Sequence, residues 1–206
     1  MFTKIEDYFS KNFWAAPLFI GIVVFFTFFA SLPNAFVLDD PSQVIKNPLV
    51  VSGNIPQIFL GSSFGVTGSS KGEGVYYKPL MTSSFAILYK ISRENPYSYH
   101  LYQILLHAIN SILVFLLFRK FFKNTLSFIA AVLFSVHPLN AESVLYVSAL
   151  QGPLFFVFGM SGLLLSLQTY LSKKTICAVT VLFLLSILSK ETGVLFSSWP
   201  FSIESL

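Results

Sequence analysis

Asp39 and Asp40 stand side by side just past an uncharged apolar run, at the head of a long polar loop. Adjacent carboxylates can divide two tasks: one takes a proton while the other orients a neighbour or holds a cation. A carboxylate within hydrogen-bond reach of a hydroxyl is a general base, which transfer of a group from a phosphate to that hydroxyl requires. The departing phosphate gathers negative charge, so cations must meet it. Lys190 and Lys78 are the candidates for that duty, with His137 a weaker third. Glu142, Glu191 and His100 are the ionisable groups placed to support them. Each residue also has a plainer use. Aspartate caps the free N–H groups at a helix start, and a histidine beside a proline can cap a broken helix. A lysine at a membrane surface can extend its ammonium to water, so Lys190 also fits an interfacial anchor. Glu142 could start a helix or pair with a lysine.

The elements that must hold these groups are set by composition. The chain has 206 residues, 54% hydrophobic and 11% charged, with a mean hydropathy of +0.72. That is the profile of an all-α, polytopic membrane protein. The net charge of +4 is spread without a broad basic surface, which argues against nucleic acid as a partner. The one cysteine, Cys177, lies in an apolar run and is expected to be a buried, inert thiol. The three histidines show no close ligand spacing, so neither a metal nor another cofactor is indicated.

Five spans are expected, near residues 14–32, 99–118, 124–137, 154–171 and 175–196. The first holds about 19 uncharged residues, enough to cross ~30 Å of hydrocarbon. Between spans one and two, residues 34–98 form the long loop. Within it 79–91 reads as a short helix opened by Pro79, too short to cross and expected along the interface. On the second span His100, Gln103, His107 and Asn110 recur at helical spacing and share one face. Helix-to-helix hydrogen bonding is the first expectation for that stripe. His100, nearest the outer end, is the exception to test. Arg119, Lys120, Lys123, Lys173 and Lys174 occupy the short loops, which predicts a cytoplasmic N-terminus. Asp39, Asp40, His100, His137, Glu142, Lys190 and Glu191 then converge on the outer face. Ionisable groups so placed tend to line a substrate path. The apolar run close to the end leads to the expectation that further spans follow Leu206.

The chain runs in order through Phe36-Val37-Leu38-Asp39-Asp40, Ile45-Lys46-Asn47-Pro48 and Tyr77-Lys78-Pro79-Leu80. It continues through Tyr99-His100-Leu101, His107-Ala108-Ile109-Asn110, Val136-His137-Pro138, Glu142-Ser143-Val144 and Leu188-Ser189-Lys190-Glu191-Thr192. In this order the segments resemble the TMTC family of membrane, tetratricopeptide-containing O-mannosyltransferase-like proteins and their bacterial relatives, within the GT-C glycosyltransferases. The resemblance implies an inverting transferase that uses a polyprenyl- or dolichyl-phosphate-linked sugar, possessing an acceptor protein or glycan and a site facing lumen or periplasm. It maps the loop's catalytic aspartate to Asp39, with Asp40 as partner, and its helical loop elements to 55–60 and 79–91. Lys78 replaces an often bidentate arginine, Asn140 replaces an expected histidine, and the acidic residue expected near Gln151-Gly152 is absent. These departures suggest a divergent bacterial-type member of an inner membrane, or an ER protein if eukaryotic. No tetratricopeptide repeat occurs in the 206 residues. Two other readings stay open: a transporter or flippase of a lipid-linked substrate, and a non-catalytic membrane scaffold.

Overall fold

The computed structural model describes residues 14–60 and 77–197, and every regular element among them is helical. Residues 1–13, the part of the long loop from 61 to 76 and the tail from 198 lie outside the described residues. The chain is an all-α membrane bundle. Among the described residues two helical stretches, Pro96–Phe118 and Val147–Ser166, are long and apolar enough to cross a bilayer. A third crossing results if Asn124–Ser135 and Pro138–Leu145, bent by 51°, form one broken span.

Helix α1 (Ala15–Phe28) buries Ala16, Ile20, Val24 and Phe28, a stripe at four-residue spacing. Its other faces carry exposed Leu18, Phe19, Ile22 and Phe26, as a helix bordered by lipid requires. With the 3-10 turn Phe29–Ser31 it forms an apolar segment, Ala15–Ser31, shorter than the two spanning stretches. The loop then builds three short helices: α2 (Asp40–Gln43), α3 (Pro48–Ser52) and α4 (Ile55–Leu60). Helix α5 (Pro79–Ser92), the loop helix expected along the interface, packs one face into the protein. Met81, Phe85 and Tyr89 enter the main apolar core with Val44 and Val50, and only flank residues such as Ile87 and Ile91 face outward. Its apolar stripe is matched by the α3 and α4 surfaces, where Ala86 meets Leu49 and Ile58.

Helix α6 (Pro96–Phe118) is the axis of the bundle and packs on α1, on α7 (Asn124–Ser135) and on α9 (Gln151–Ser166). Asn95 caps it by accepting the Tyr97 N–H at 3.1 Å, and Pro96 takes the first helical position. Between α7 and α9 the chain breaks into a 3-10 turn (Pro138–Asn140), the five-residue α8 (Ala141–Leu145) and a second 3-10 turn (Val147–Ala149). Such breaks strand backbone carbonyls inside an apolar bundle, and the polar stripe of α6 answers them. Gln103 Nε2 donates to Tyr146 O at 2.7 Å, the His107 ring bonds Ser135 O at 2.9 Å, and Asn110 Nδ2 donates to Pro153 O at 3.1 Å. Gln103, His107 and Asn110 therefore form a helix-to-helix seam. Gln103→Leu leaves the Tyr146 carbonyl without that donor and is expected to cost about 1–3 kcal/mol. A denaturation series in detergent that gave an unchanged midpoint would contradict this.

Helix α10 (Lys173–Ser189) packs back along α9, joined to it by the Ser186 hydroxyl, which donates to Phe155 O at 2.8 Å. It stops where Lys190 turns extended, and the 3-10 turn Glu191–Gly193 folds over its end. A side chain at Gly193 would meet the Ser186 carbonyl at 2.5 Å, so the close return depends on glycine. Cys177 lies on the outward face of α10 and is exposed, not buried as its apolar neighbours suggested. An apolar run in a membrane helix faces lipid as readily as protein.

Candidate active site

The two aspartates part company at the loop head. Asp40 is completely buried. Its Oδ1 accepts the Ser148 N–H at 2.8 Å and the Ser148 hydroxyl at 2.6 Å, while Oδ2 accepts the Val37 N–H at 3.0 Å. These bonds tie the loop start to the turn before α9, across 108 residues of sequence. They also bracket Leu38, which adopts φ of +50°, a left-handed conformation that non-glycine residues disfavour. Both carboxylate oxygens of Asp40, expected as a catalytic partner, are thus already engaged within the protein. Asp39 is exposed, and its N–H donates to the Tyr146 hydroxyl at 3.2 Å. Burial raises the Tyr146 pKa above its usual 10.0, so the phenol keeps its proton.

Asp39 lines a polar cavity of about 190 Å³ with Gln43, Lys78, Glu142, Tyr146 and Gln151. A second cavity of about 200 Å³ holds Lys190, Asn110, Asn140 and Ser143 beside Phe155 and Phe156. The two share a wall, because Glu142 and Ser143 are successive residues, as are Gln151 and Gly152, and each pair contributes to both. Lys78 stands at the head of α5, where burial holds its pKa below the usual 10.5. Glu191 nearby pulls that pKa back up and Lys190 pushes it down, so the three charges feel one another across the wall. Lys190 Nζ lies 5.6 Å from the Phe155 ring centroid, within cation–π range.

The remaining expected residues fall elsewhere. His137 lines neither cavity; its Nδ1 accepts the Leu139 N–H at 3.2 Å and caps the turn after α7. That is the plainer of its two readings. His100 is buried on α6, within electrostatic reach of Asp40 and away from both cavity linings. Glu142 is exposed on the rim of the first cavity, and exposed Glu191 acts through its charge on Lys78. Tyr146, Ser148, Gln43 and Gln151 were not singled out from sequence. Gln151, just ahead of Gly152-Pro153 at a helix start, was the one with a readable local signal.

With this geometry in place, comparison with known proteins gives one consistent result. The dolichyl-phosphate-mannose-protein mannosyltransferase family matches residues 59–198. The chain belongs to that family. It is thereby a member of the GT-C-like glycosyltransferase superfamily, as the ordered motifs implied. Among individual relatives, the Caenorhabditis elegans protein O-mannosyl-transferase F38B6.6 is 29% identical over 82% of this chain and 25% of its own length. Human protein O-mannosyl-transferase TMTC3 is 33% identical over 62% of this chain and 14% of its own. Mouse protein O-mannosyl-transferase TMTC2 is 35% identical over 55% and 14%. The chain therefore spans a quarter or less of the length of these relatives. No solved structure matches it.

Proposed function

We propose that the chain carries the donor site and the base of a membrane glycosyltransferase. It passes a sugar, mannose by the relatives' names, from a polyprenyl- or dolichyl-phosphate-linked donor to a protein hydroxyl. The observation that carries this reading is one cavity lined by both Asp39 and Lys78, with Lys190 in electrostatic contact across its wall. Asp39 takes the proton of the acceptor hydroxyl, whose oxygen bonds to the anomeric carbon from the face opposite the phosphate. The bond from that carbon to the phosphate oxygen breaks, the configuration inverts, and the lipid phosphate leaves against Lys78 and Lys190.

An apolar groove of about 420 Å³ supports a lipid-linked donor. It shares Phe155 and Phe156 with the Lys190 cavity and runs to Leu167 and Phe121. A chain of isoprene units laid in it would bring its phosphate to the lysines. The short basic loops at Arg119 and Lys173 lie at the opposite helix ends from Lys190 and Asp39. By the positive-inside rule that arrangement supports a site on the extracytoplasmic face.

The test is transfer from a supplied polyprenyl-phosphate mannose to a serine-rich peptide in nanodiscs, followed against pH. The charge on Lys78 is lost as pH rises through a pKa held below 10.5, so kcat/KM falls on an alkaline limb below that of an ordinary lysine. Glu191→Gln removes the neighbour that raises that pKa and moves the limb to lower pH. Lys190→Gln removes the neighbour that lowers it and moves the limb up, while cutting the rate about tenfold as a phosphate contact is lost. Limbs that do not move in opposite directions count against Lys78 as the donor's cation. Absence of any transfer by the wild type counts against the activity.

A further inference from the structure

We infer that Gln43 and Gln151 form a hydroxyl-reading pair that selects the sugar being transferred, a step that rests on the donor reading above. Asp40 and Ser148 clamp α2 to the turn before α9. Gln43 lies three residues after Asp40 and Gln151 three after Ser148, so each stands one helical turn beyond the clamp. Both line the Asp39 cavity. In each, the side-chain Oε1 is buried and, among the described residues, accepts no hydrogen bond.

Buried polar atoms are almost always satisfied, so two acceptors without a described partner, on residues that line one small cavity, point to what it is built to hold. With the Asp39 and Glu142 carboxylates beside them, this wall is rich in acceptors. A phosphate brings acceptors of its own and is repelled here, whereas the lysine side suits it. An acceptor serine or threonine brings a single hydroxyl, and Asp39 already claims its proton. Two further O–H donors must come from a polyhydroxylated ligand, and in this reaction that ligand is the pyranose of the donor. The expected discrimination is strong for a simple reason. A site made to bond a hydroxyl rejects the analogue lacking it far better than an apolar pocket rejects an added one.

The experiment compares binding of two probes, polyprenyl phosphate and polyprenyl-phosphate mannose, to the full chain in nanodiscs. The variants Gln43→Met and Gln151→Met keep volume and remove the carboxamide. The wild type is expected to hold the mannosylated lipid more tightly than the bare phosphate. Each variant should lose about tenfold in affinity for the mannosylated lipid and none for the bare phosphate. Their thermal midpoints should hold or rise, because an unsatisfied buried acceptor has been removed; a merely structural glutamine would lower them. Variants that bind mannosylated lipid as the wild type does, or that lose both probes equally, overturn the pair while leaving the donor reading in place. A wild type that binds neither probe overturns the donor reading, and the pair with it.

Discussion

Asp39→Asn is expected to cut transfer by about a thousandfold while the protein inserts and unfolds as the wild type does. The rate follows from the chemistry: a positioned base contributes roughly 10²–10⁴-fold, and an asparagine carboxamide cannot take the acceptor's proton. The intact fold follows from the structure. Among the described residues the Asp39 backbone N–H is engaged with Tyr146, and nothing there bonds or pairs with its carboxylate. Asparagine keeps the N–H and the side-chain shape. The measurement is single-turnover transfer from lipid-linked mannose beside a denaturation curve. A rate within tenfold of wild type with an unchanged midpoint would remove Asp39 from the role of base. A loss of both rate and midpoint would mean instead that Asp39 holds the loop, which is the role the geometry gives to Asp40. Glutamate at 39 retains a base but sets it one methylene deeper in a cavity of about 190 Å³, and should recover only part of the rate.

Much of this architecture is written locally. Ile55–Leu60 is helical where the family resemblance placed a loop helix, and α5 begins at Pro79 as its N1 proline predicts. The stripe His100–Asn110 was readable as a single helix face because 3.6-residue periodicity is a property of the segment alone. Its role as a seam was readable as well, since buried amides in membrane helices need partners. Helix α3 carries its own local signals: Asn47 caps it, Pro48 is its first residue, and Gly53 closes it at φ of +64°. Other features had no local signature. Nothing near Asp40 foretells Ser148, since the described helices α3 to α8 all lie between them in the chain. The burial of α5 depends on α3 and α4 covering it, and the exposure of Cys177 depends on which face of α10 meets α9. Long-range closure decides these, and one-dimensional pattern carries no record of it. The same holds for the division of Asp39 from Asp40. Adjacent residues at a turn point opposite ways, so a shared motif gave them one label and the fold gave them two.

That division makes the second expectation the inverse of the first. Asp40→Ala should destabilise the protein by roughly 3 kcal/mol, because the Val37 N–H, the Ser148 N–H and the Ser148 hydroxyl all lose their acceptor in a buried place. Transfer should fall at least a hundredfold as well, through displacement of α2 and the turn that carries Ser148, since misplacing a base by about 1 Å can cost that much. Hydrogen exchange tells this from loss of a catalytic group: protection should drop at 36–44 and 146–151 together, and at neither for Asp39→Asn. Ser148→Ala removes one of the same bonds, so it should cost less on an Asp40→Ala background than in the wild type. Leu38 supplies a third check. Its φ of +50° is held by bonds on either side, and glycine there relieves roughly 1 kcal/mol of strain. Leu38→Gly should therefore raise the midpoint of Asp40→Ala without restoring its rate, because glycine repairs the turn and not the clamp. If Asp40→Ala instead keeps its midpoint and its exchange pattern while transfer is lost, Asp40 acts on substrate directly, and the clamp is not what places Asp39.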